Sequence, residues 1–523
     1  MKRTMIVFLS LVLAFCMAAP ALAEITATEW TMPIVEEKIN LTGYALQSPQ
    51  GGDANDMIAW EYYEELTNIH IDWTNVPTDN QDEVLSVMLA SGDLPDIIYA
   101  CGFTSNELIN YGSTGLFADL TEAYEKNAYN LQKIVEENPS IKAAITSADG
   151  KIYGLPHIKL GDNMRTNKIF VNPEWLEAVG LDMPATFAEF EEMLYAFRDN
   201  DANGDGDPNN EIPYIIRYND YHFLPSLYTF FGLGNRGDGH RYVDWDYEND
   251  CLRFIPTTSQ FKDLLTVVHK WYEDGLIDVE TFQNTSSKQI VAKTTQNLVG
   301  VHSDFVTNTG SVYQEIFRCI PVMENYYGEK LWTRRSPLIA APGAFVVSAK
   351  CEYIDELVKW ADYFYSDEGA ILYNMGVEGV TFEFDENGVP QFKDELINNP
   401  EGLTLTQMRV KYMGFQSGPG YWSDDTYKGA ETYWTSTELM DDYRQYLPEE
   451  IWESFNATYE EAEQMDYVFT DIQSYLNENI AAFITGSRSL DEWDDYVATI
   501  ESMGLADYMA LYQTLYERYE ASM

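Results

Sequence analysis

The chain has 523 residues, 45% of them hydrophobic, with 85 Asp and Glu against 32 Lys and Arg and a formal net charge of −53. That length exceeds one ordinary core and predicts two large domains or lobes. The charge repels phosphate backbones and anionic lipid surfaces, which excludes nucleic acid as a partner and argues against polyanionic ligands unless a local cation helps.

The chain opens with Lys2 and Arg3, an apolar run "MIVFLSLVLAFCMAA", and the small residues "ALA" at 21–23. This is the pattern of a secretory signal peptide over 1–23, cleaved after Ala23, and the run is short for a spanning helix. Cys16 offers an alternative, a lipid anchor, but Phe15 stands where that pattern wants a small residue. No later stretch is long and apolar enough to span a bilayer. The expected location is extracellular or periplasmic, associated with the cell surface.

Residues 38–160 alternate strand and helix signals. Strands are predicted at 38–46, 69–76 and 95–100, with helices at 56–66 and 82–92, the second stopped by Gly92. This β-α-β-α-β order implies parallel strands with covering helices. Ligands in such sheets bind beyond the C-terminal ends of the strands, which makes Gln47, Ser48, Gly102, Phe103 and Thr104 candidate pocket residues. Further strands are predicted at 151–157, 168–172, 212–218, 297–305 and 344–349. A helix over 186–199 carries Phe187, Phe190, Leu194 and Phe197 as a core stripe. One or two helices follow over 352–373, and from about 430 the chain reads as helical.

Between the 186–199 helix and the 212–218 strand lies "DANGDGDPNNE" (201–211). Asp201, Asn203 and Asp205 fall at positions 1, 3 and 5 around Gly206, the spacing that wraps hard oxygens about calcium. A calcium-switch hand would place Glu at position 12, but Ile212 stands there, Glu211 is one residue early, and Pro213 turns the chain toward a strand. The reading is a structural calcium clip with Asp201, Asn203, Asp205, the carbonyl of Asp207, Asn210 and Glu211 as ligands, Asn209 being an alternative to Asn210. The competing reading is a metal-free turn cluster.

No nucleophile elbow, HExxH helix, phosphate loop or dinucleotide loop is present, and the six histidines have no metal spacing. No catalytic residue is assigned. Cys101, Cys251, Cys319 and Cys351 are far apart in sequence, so three disulfide pairings and separate thiols all stay open. The 12 Trp, 37 Tyr and 25 Phe suit an extracellular sugar binder, although most must be core; Phe103, Trp245 and the Tyr421–Trp422 pair sit in Gly/Ser/Asp-rich surroundings.

Five motifs in order carry a resemblance: "MLASGDLPDII" (88–98), "IYGLP" with "VNPEWLEAVGLDMPATFAEFEEMLYAF", the 201–211 loop, "GVEGVTFEFDENGVP" (376–390), and "AAFITGSRSLDEWDDYVATIESMGLADYMALYQTLYERY" (481–519). Together they resemble the extracellular solute-binding proteins of ABC importers, in the large lipoprotein-like, oligosaccharide- and alginate-binding group. The resemblance implies an α/β, two-lobed periplasmic-binding-protein-like (type II) fold with hinge crossings and a helical C-terminal region. It implies an N-lobe of 30–160 plus 305–343, a C-lobe of 168–297 plus 350–523, and crossings near 157–168, 297–305 and 343–350. Carried over by position, it gives Gly102, Phe103, Thr104, His157, Ser303, Asp304, Tyr421 and Trp422 as ligand contacts, the last two in the second lobe. The implied protein is not an enzyme. It captures a sugar or oligosaccharide by lobe closure, as a monomer, and delivers it to a membrane permease. The alternatives are a secreted carbohydrate-active hydrolase or lyase with structural calcium, and a ligand sensor for a membrane kinase.

Overall fold

The computed structural model describes residues 25–47, 51–218, 223–283, 286–303, 316–397, 405–413, 417–427 and 434–523. The strands among them are, in chain order, β1 (Ile39–Gln47), β2 (Ile69–Pro77), β3 (Ile97–Phe103), β4 (Leu155–Lys159), β5 (Phe170–Val171), β6 (Ile212–Ile215) and β7 (Val243–Asp246). They continue as β8 (Cys251–Phe254), β9 (Val299–His302), β10 (Arg318–Cys319), β11 (Ile339–Val347), β12 (Phe382–Phe384), β13 (Pro390–Phe392) and β14 (Gly420–Trp422).

The first sheet runs β14-β4-β11-β3-β1-β2. β1 lies parallel to β2 and β3, β11 is antiparallel to β3 and β4, and β14 adds parallel to β4. The crossover helices Ile58–Thr67 and Gln81–Ser91 end on left-handed caps, Asn68 and Gly92, whose N–H groups return to Glu64 and to Met88 and Leu89. The sheet is covered on both faces. Leu41, Ala45, Ile97, Tyr99, Phe345 and Val347 enter one core, while the alternating Tyr44, Leu46, Ile98 and Val346 enter the other.

The second sheet runs β10-β5-β9-β6. Its core gathers Phe190, Leu194 and Phe197 from the helix Phe187–Asp199, Trp271 from Ser259–Glu273, and Ile472, Leu476 and Phe483 from Tyr459–Thr485. The C-terminal helix Ala506–Ser522 closes the same core with Tyr508, Tyr512, Leu515 and Tyr519. The result is an α/β protein of two lobes with a helical C-terminal region.

The expected lobe boundaries need correction beyond residue 297. Ile320, Val322, Met323 and Trp332 pack in the second core, so most of the described part of 305–343 belongs there. Conversely, Leu357, Trp360, Phe364 and Tyr373, expected in the second lobe, pack in the first core, and β14 lies on the edge of the first sheet. The crossings shift accordingly. Residues 165–167 and 334–336 pair as a ribbon, with Asn167 N–H on Arg334 O (2.9 Å) and Ser336 N–H on Arg165 O (2.7 Å). The described part of 297–305 is β9 of the second sheet, and 343–347 is already inside the first sheet, because β11 enters it at Ile339. The described residues form no disulfide; Cys101, Cys251, Cys319 and Cys351 are free thiols.

Candidate functional site

A cavity of about 580 Å³ opens between the two cores, where the ribbon joins them. Gly102, Thr104, Ser105 and Asn106 line it from the end of β3, Ile339–Pro342 from the start of β11, and Asn167, Gly234, Gly237–Arg241 and Arg334 from the second lobe. The glycines of the second wall are there for space. Gly237 has φ +84°, and a Cβ on it would lie 2.4 Å from Arg335 O.

The polar floor is a closed network. Arg334 Nη1 donates to Asp238 Oδ1 at 2.7 Å, Asn167 Nδ2 donates to Asp238 Oδ2 at 2.8 Å, and the Asp238 N–H donates to Arg335 O at 2.8 Å. Burial pushes the Asp238 carboxyl above its ordinary range, and Arg334 and Asn167 offset this only in part. Lys159 and Arg241 add two further cations to the lining. Such a surface offers directed donors and acceptors to hydroxyl groups beside apolar walls from Tyr228, Pro337 and Phe455.

Of the residues expected to contact ligand, Gly102 and Thr104 line this cavity. Thr104 is also a helix cap: its hydroxyl accepts from Glu107 N–H and donates to Glu107 Oε2 at 2.8 Å. Phe103 is a core residue, 4% exposed and packed edge-on against Phe117 and Tyr111. The backbone turns at Gly102 (φ +68°), which sends the ring inward instead of into the pocket. Gln47, at the end of β1, donates to Gly52 O at 3.2 Å and does not reach the cavity.

His157 is buried and sits edge-on to Trp422, with Nδ1 3.2 Å from Gly418 O and its Nε2 without a hydrogen-bond partner. Desolvation lowers its pKa to about 3, so it is neutral. Ser303 is buried and bonded to the Tyr214 hydroxyl. Tyr421 is not in the second lobe: it is buried in the first core and donates to Asp367 Oδ1 at 3.0 Å. Trp422 is half-buried and stacks on Tyr427 at 4.3 Å between centroids. Trp245 packs against Trp452 and Tyr516. Ser48 and Asp304 lie outside the described residues. Sequence reasoning missed Asn167, Asp238, Arg241 and Arg334; the one available signal was the glycine density of "GLGNRGDGH" (232–240).

The 201–211 loop joins the capped helix Phe187–Asp199 to β6 in the second lobe, and Asn297 Nδ2 ties it to the start of β9 through Asn203 O at 3.3 Å. Most of its polar groups satisfy one another. Asn203 Oδ1 accepts from Asp205 N–H (2.9 Å), Asp205 Oδ1 from Asp207 N–H (2.8 Å), and Asp205 Oδ2 from Asn210 Nδ2 (2.7 Å). Asn209 bonds to the Asp207 side chain, not inward. Three buried oxygens are left without a partner: Asp201 Oδ1 and both carboxylate oxygens of Glu211. Desolvation raises the Glu211 carboxyl, and the Asp201 charge raises it further; the N–H groups of Ala202, Asn203 and Glu211 offset this only in part, since none is aligned for a hydrogen bond. Two carboxylates turned inward with nothing to neutralise them fit a cation. Among the described residues, however, no three His, Cys, Asp or Glu side chains are drawn together around one point.

Comparison with known proteins agrees with this architecture. The family model for bacterial extracellular solute-binding proteins matches residues 44–371. The chain is 28% identical over 508 residues to the fructooligosaccharide ABC transporter substrate-binding protein FusA of Streptococcus pneumoniae, covering 94% of this chain and 92% of FusA. It is 26% identical over 373 residues to the lipoprotein LipO of Bacillus subtilis, covering 66% of this chain and 69% of LipO. The solved FusA EF-hand mutant in complex with fructo-nystose superposes with a TM-score of 0.75 at 25% identity, covering 93% of this chain and all of that one. An HMO-binding, ABC-transporter-associated solute-binding protein from Bifidobacterium longum infantis shares the fold, with a TM-score of 0.78 at 20% identity over 92% of this chain and 99% of its own. Two lobes, a cavity between them and a family match over more than half the length lead to one conclusion: the chain belongs to the bacterial extracellular solute-binding proteins.

Proposed function

We propose that the protein captures a sugar or oligosaccharide between its lobes and delivers it to an ABC-type permease. The observation that carries this reading is the cavity lined from both lobes at the ribbon, with polar groups that suit hydroxyls and ring and proline walls that suit sugar C–H faces. The ribbon is narrow, so the lobes can swing about it and bury the ligand. Gly102, Thr104, Asn106, Asn167 and Asp238 are the proposed hydroxyl contacts, with Trp422 a proposed ring platform beside them. The S. pneumoniae relative is named for fructooligosaccharides and its solved complexes hold fructo-nystose and kestose, so these fructans are the first compounds to test. The proposed setting is outside the membrane, after removal of the 1–23 leader, with the protein acting as a monomer.

Calcium belongs to the same proposal. Asp201 and Glu211 would hold it with their unpartnered oxygens, joined by Asn203, Asp205, Asn210 and the Asp207 carbonyl. Its role would be to neutralise two buried carboxylates and fasten a helix to a strand, away from the cavity. The test is a thermal-shift screen over mono- and oligosaccharides, run with calcium and with chelator. Ligand binding to the folded state raises the melting temperature. A rise with sugars in both conditions, on a baseline lowered by chelation, is the expected result. Shifts with peptides or other solutes alone would overturn the sugar assignment.

A further inference from the structure

The ribbon at 165–167 and 334–336 is not the only link between lobes. A strap from the C-terminal region, residues 450–457, crosses behind it. Trp452, Phe455 and Ala457 are buried in the second core, and Arg236 O accepts from Trp452 N–H at 3.1 Å. The Asn456 amide reaches the first lobe, donating to Ala143 O, Ala144 O and Thr146 O at 2.9, 3.0 and 2.7 Å. Those carbonyls close the helix Pro139–Ile145 of the first core.

Between these anchors stands Glu453, 1% exposed. Its Oε1 accepts from Leu338 N–H at 2.6 Å and its Oε2 from Ile339 N–H at 3.0 Å. These are the amides at which the chain leaves the ribbon and enters β11. Leu338 O in turn accepts from Lys159 N–H at 2.8 Å, at the end of β4. A buried carboxylate with both oxygens on consecutive amides is a two-point grip on backbone direction, stronger than a neutral acceptor would give.

We propose that Glu453 is a positioning residue for lobe closure, its carboxylate clamping the hinge to the C-terminal strap and releasing it when protonated. This rests on the reading that the lobes close on a ligand. The groups facing Glu453 are few. Arg165, whose Nε donates to Ser336 O at 2.9 Å, provides the attracting charge. His240 touches only the Glu453 carbonyl (Nε2 at 2.8 Å) and is held neutral by burial; Tyr519 packs nearby from the C-terminal helix, its hydroxyl kept protonated by burial. Burial raises the Glu453 carboxyl to about 6, ahead of the opposing pull of the two amides and Arg165. A protonated carboxyl turns one acceptor into an O–H facing an N–H, so one of the two grips is lost.

The test is amide hydrogen exchange on the mature chain without sugar, corrected for intrinsic rates. Peptides spanning 334–342 are compared with a β3 reference, 97–103, in wild type and Glu453→Gln, at about pH 7.5 and about pH 5. The expected result is exchange about tenfold faster at 334–342 in Glu453→Gln, with β3 unchanged. Wild type at the lower pH should match the variant, and the variant should not respond to pH. Unchanged exchange at 334–342 in the variant, or in wild type between the two pH values, overturns the proposal. If the variant does not fold, the wild-type pH series decides alone. A failed sugar screen would remove the transport reading but leave this measurement intact, so the two can be told apart.

Discussion

Glu211 shows how a single side chain can be unfavourable in the fold and still belong there. Both its oxygens are buried without partners beside Asp201. A carboxyl raised in the folded state weakens the fold once pH exceeds its unfolded value, and the loss is complete above the folded one. The chelated protein should therefore gain stability as pH falls toward the acid side of that range. Glu211→Gln should raise the melting temperature in chelator and lower it in calcium, which paired thermal melts would read. Asp238 is the opposite case, a buried carboxylate with its cation in place. Arg334→Met strands that charge, and the expected cost is about 3–5 kcal/mol by chemical denaturation.

At the scale of elements, the helix Phe187–Asp199 shows what patterning reads well. Thr186 and Glu189 form a capping box, and Phe190, Leu194 and Phe197 are fully buried. Thr186→Ala should cost about 1 kcal/mol of stability with sugar affinity unchanged, since the cap lies away from the cavity. The strands of the first sheet were legible because apolar residues recur on both faces and Gly92 marks a helix end. Phe103 was not legible. Its place just past the predicted end of the strand points it at the ligand, but Ala100 and Gly102 both adopt positive φ and re-aim the side chains that follow. Tyr421 failed for a different reason: a three-residue strand joins whichever sheet offers it an edge, and nothing in "GPGYW" names that edge.

For the whole molecule, a net charge of −53 is a standing repulsion. Raising sodium chloride in chelator should raise the melting temperature steadily up to a few hundred millimolar, about the range over which the screening length falls below charge spacing. A flat response would mean that the surface acids are already offset locally. If the 201–211 loop holds calcium as proposed, micromolar excess calcium should act on top of this, because it would reach two buried carboxylates that bulk salt does not.

The sequence by itself determined the two-lobe α/β plan, the β-α-β-α-β start, the core stripe of the 187–199 helix and the helix–loop–strand form of the acidic loop. The two-lobe plan came from chain length and from the resemblance; the other three depend on residues close in the chain, where hydrophobic period and turn chemistry act directly. Tertiary structure alone decided which lobe claims 316–334, 354–375 and 420–422, that 334–336 pairs with 165–167, and that Asn167, Asp238 and Arg334 meet in one floor. These are contacts between segments far apart in sequence. Their partners are selected by which sheet edge, core or buried charge remains to be satisfied once the local elements have formed, and no local pattern records that selection.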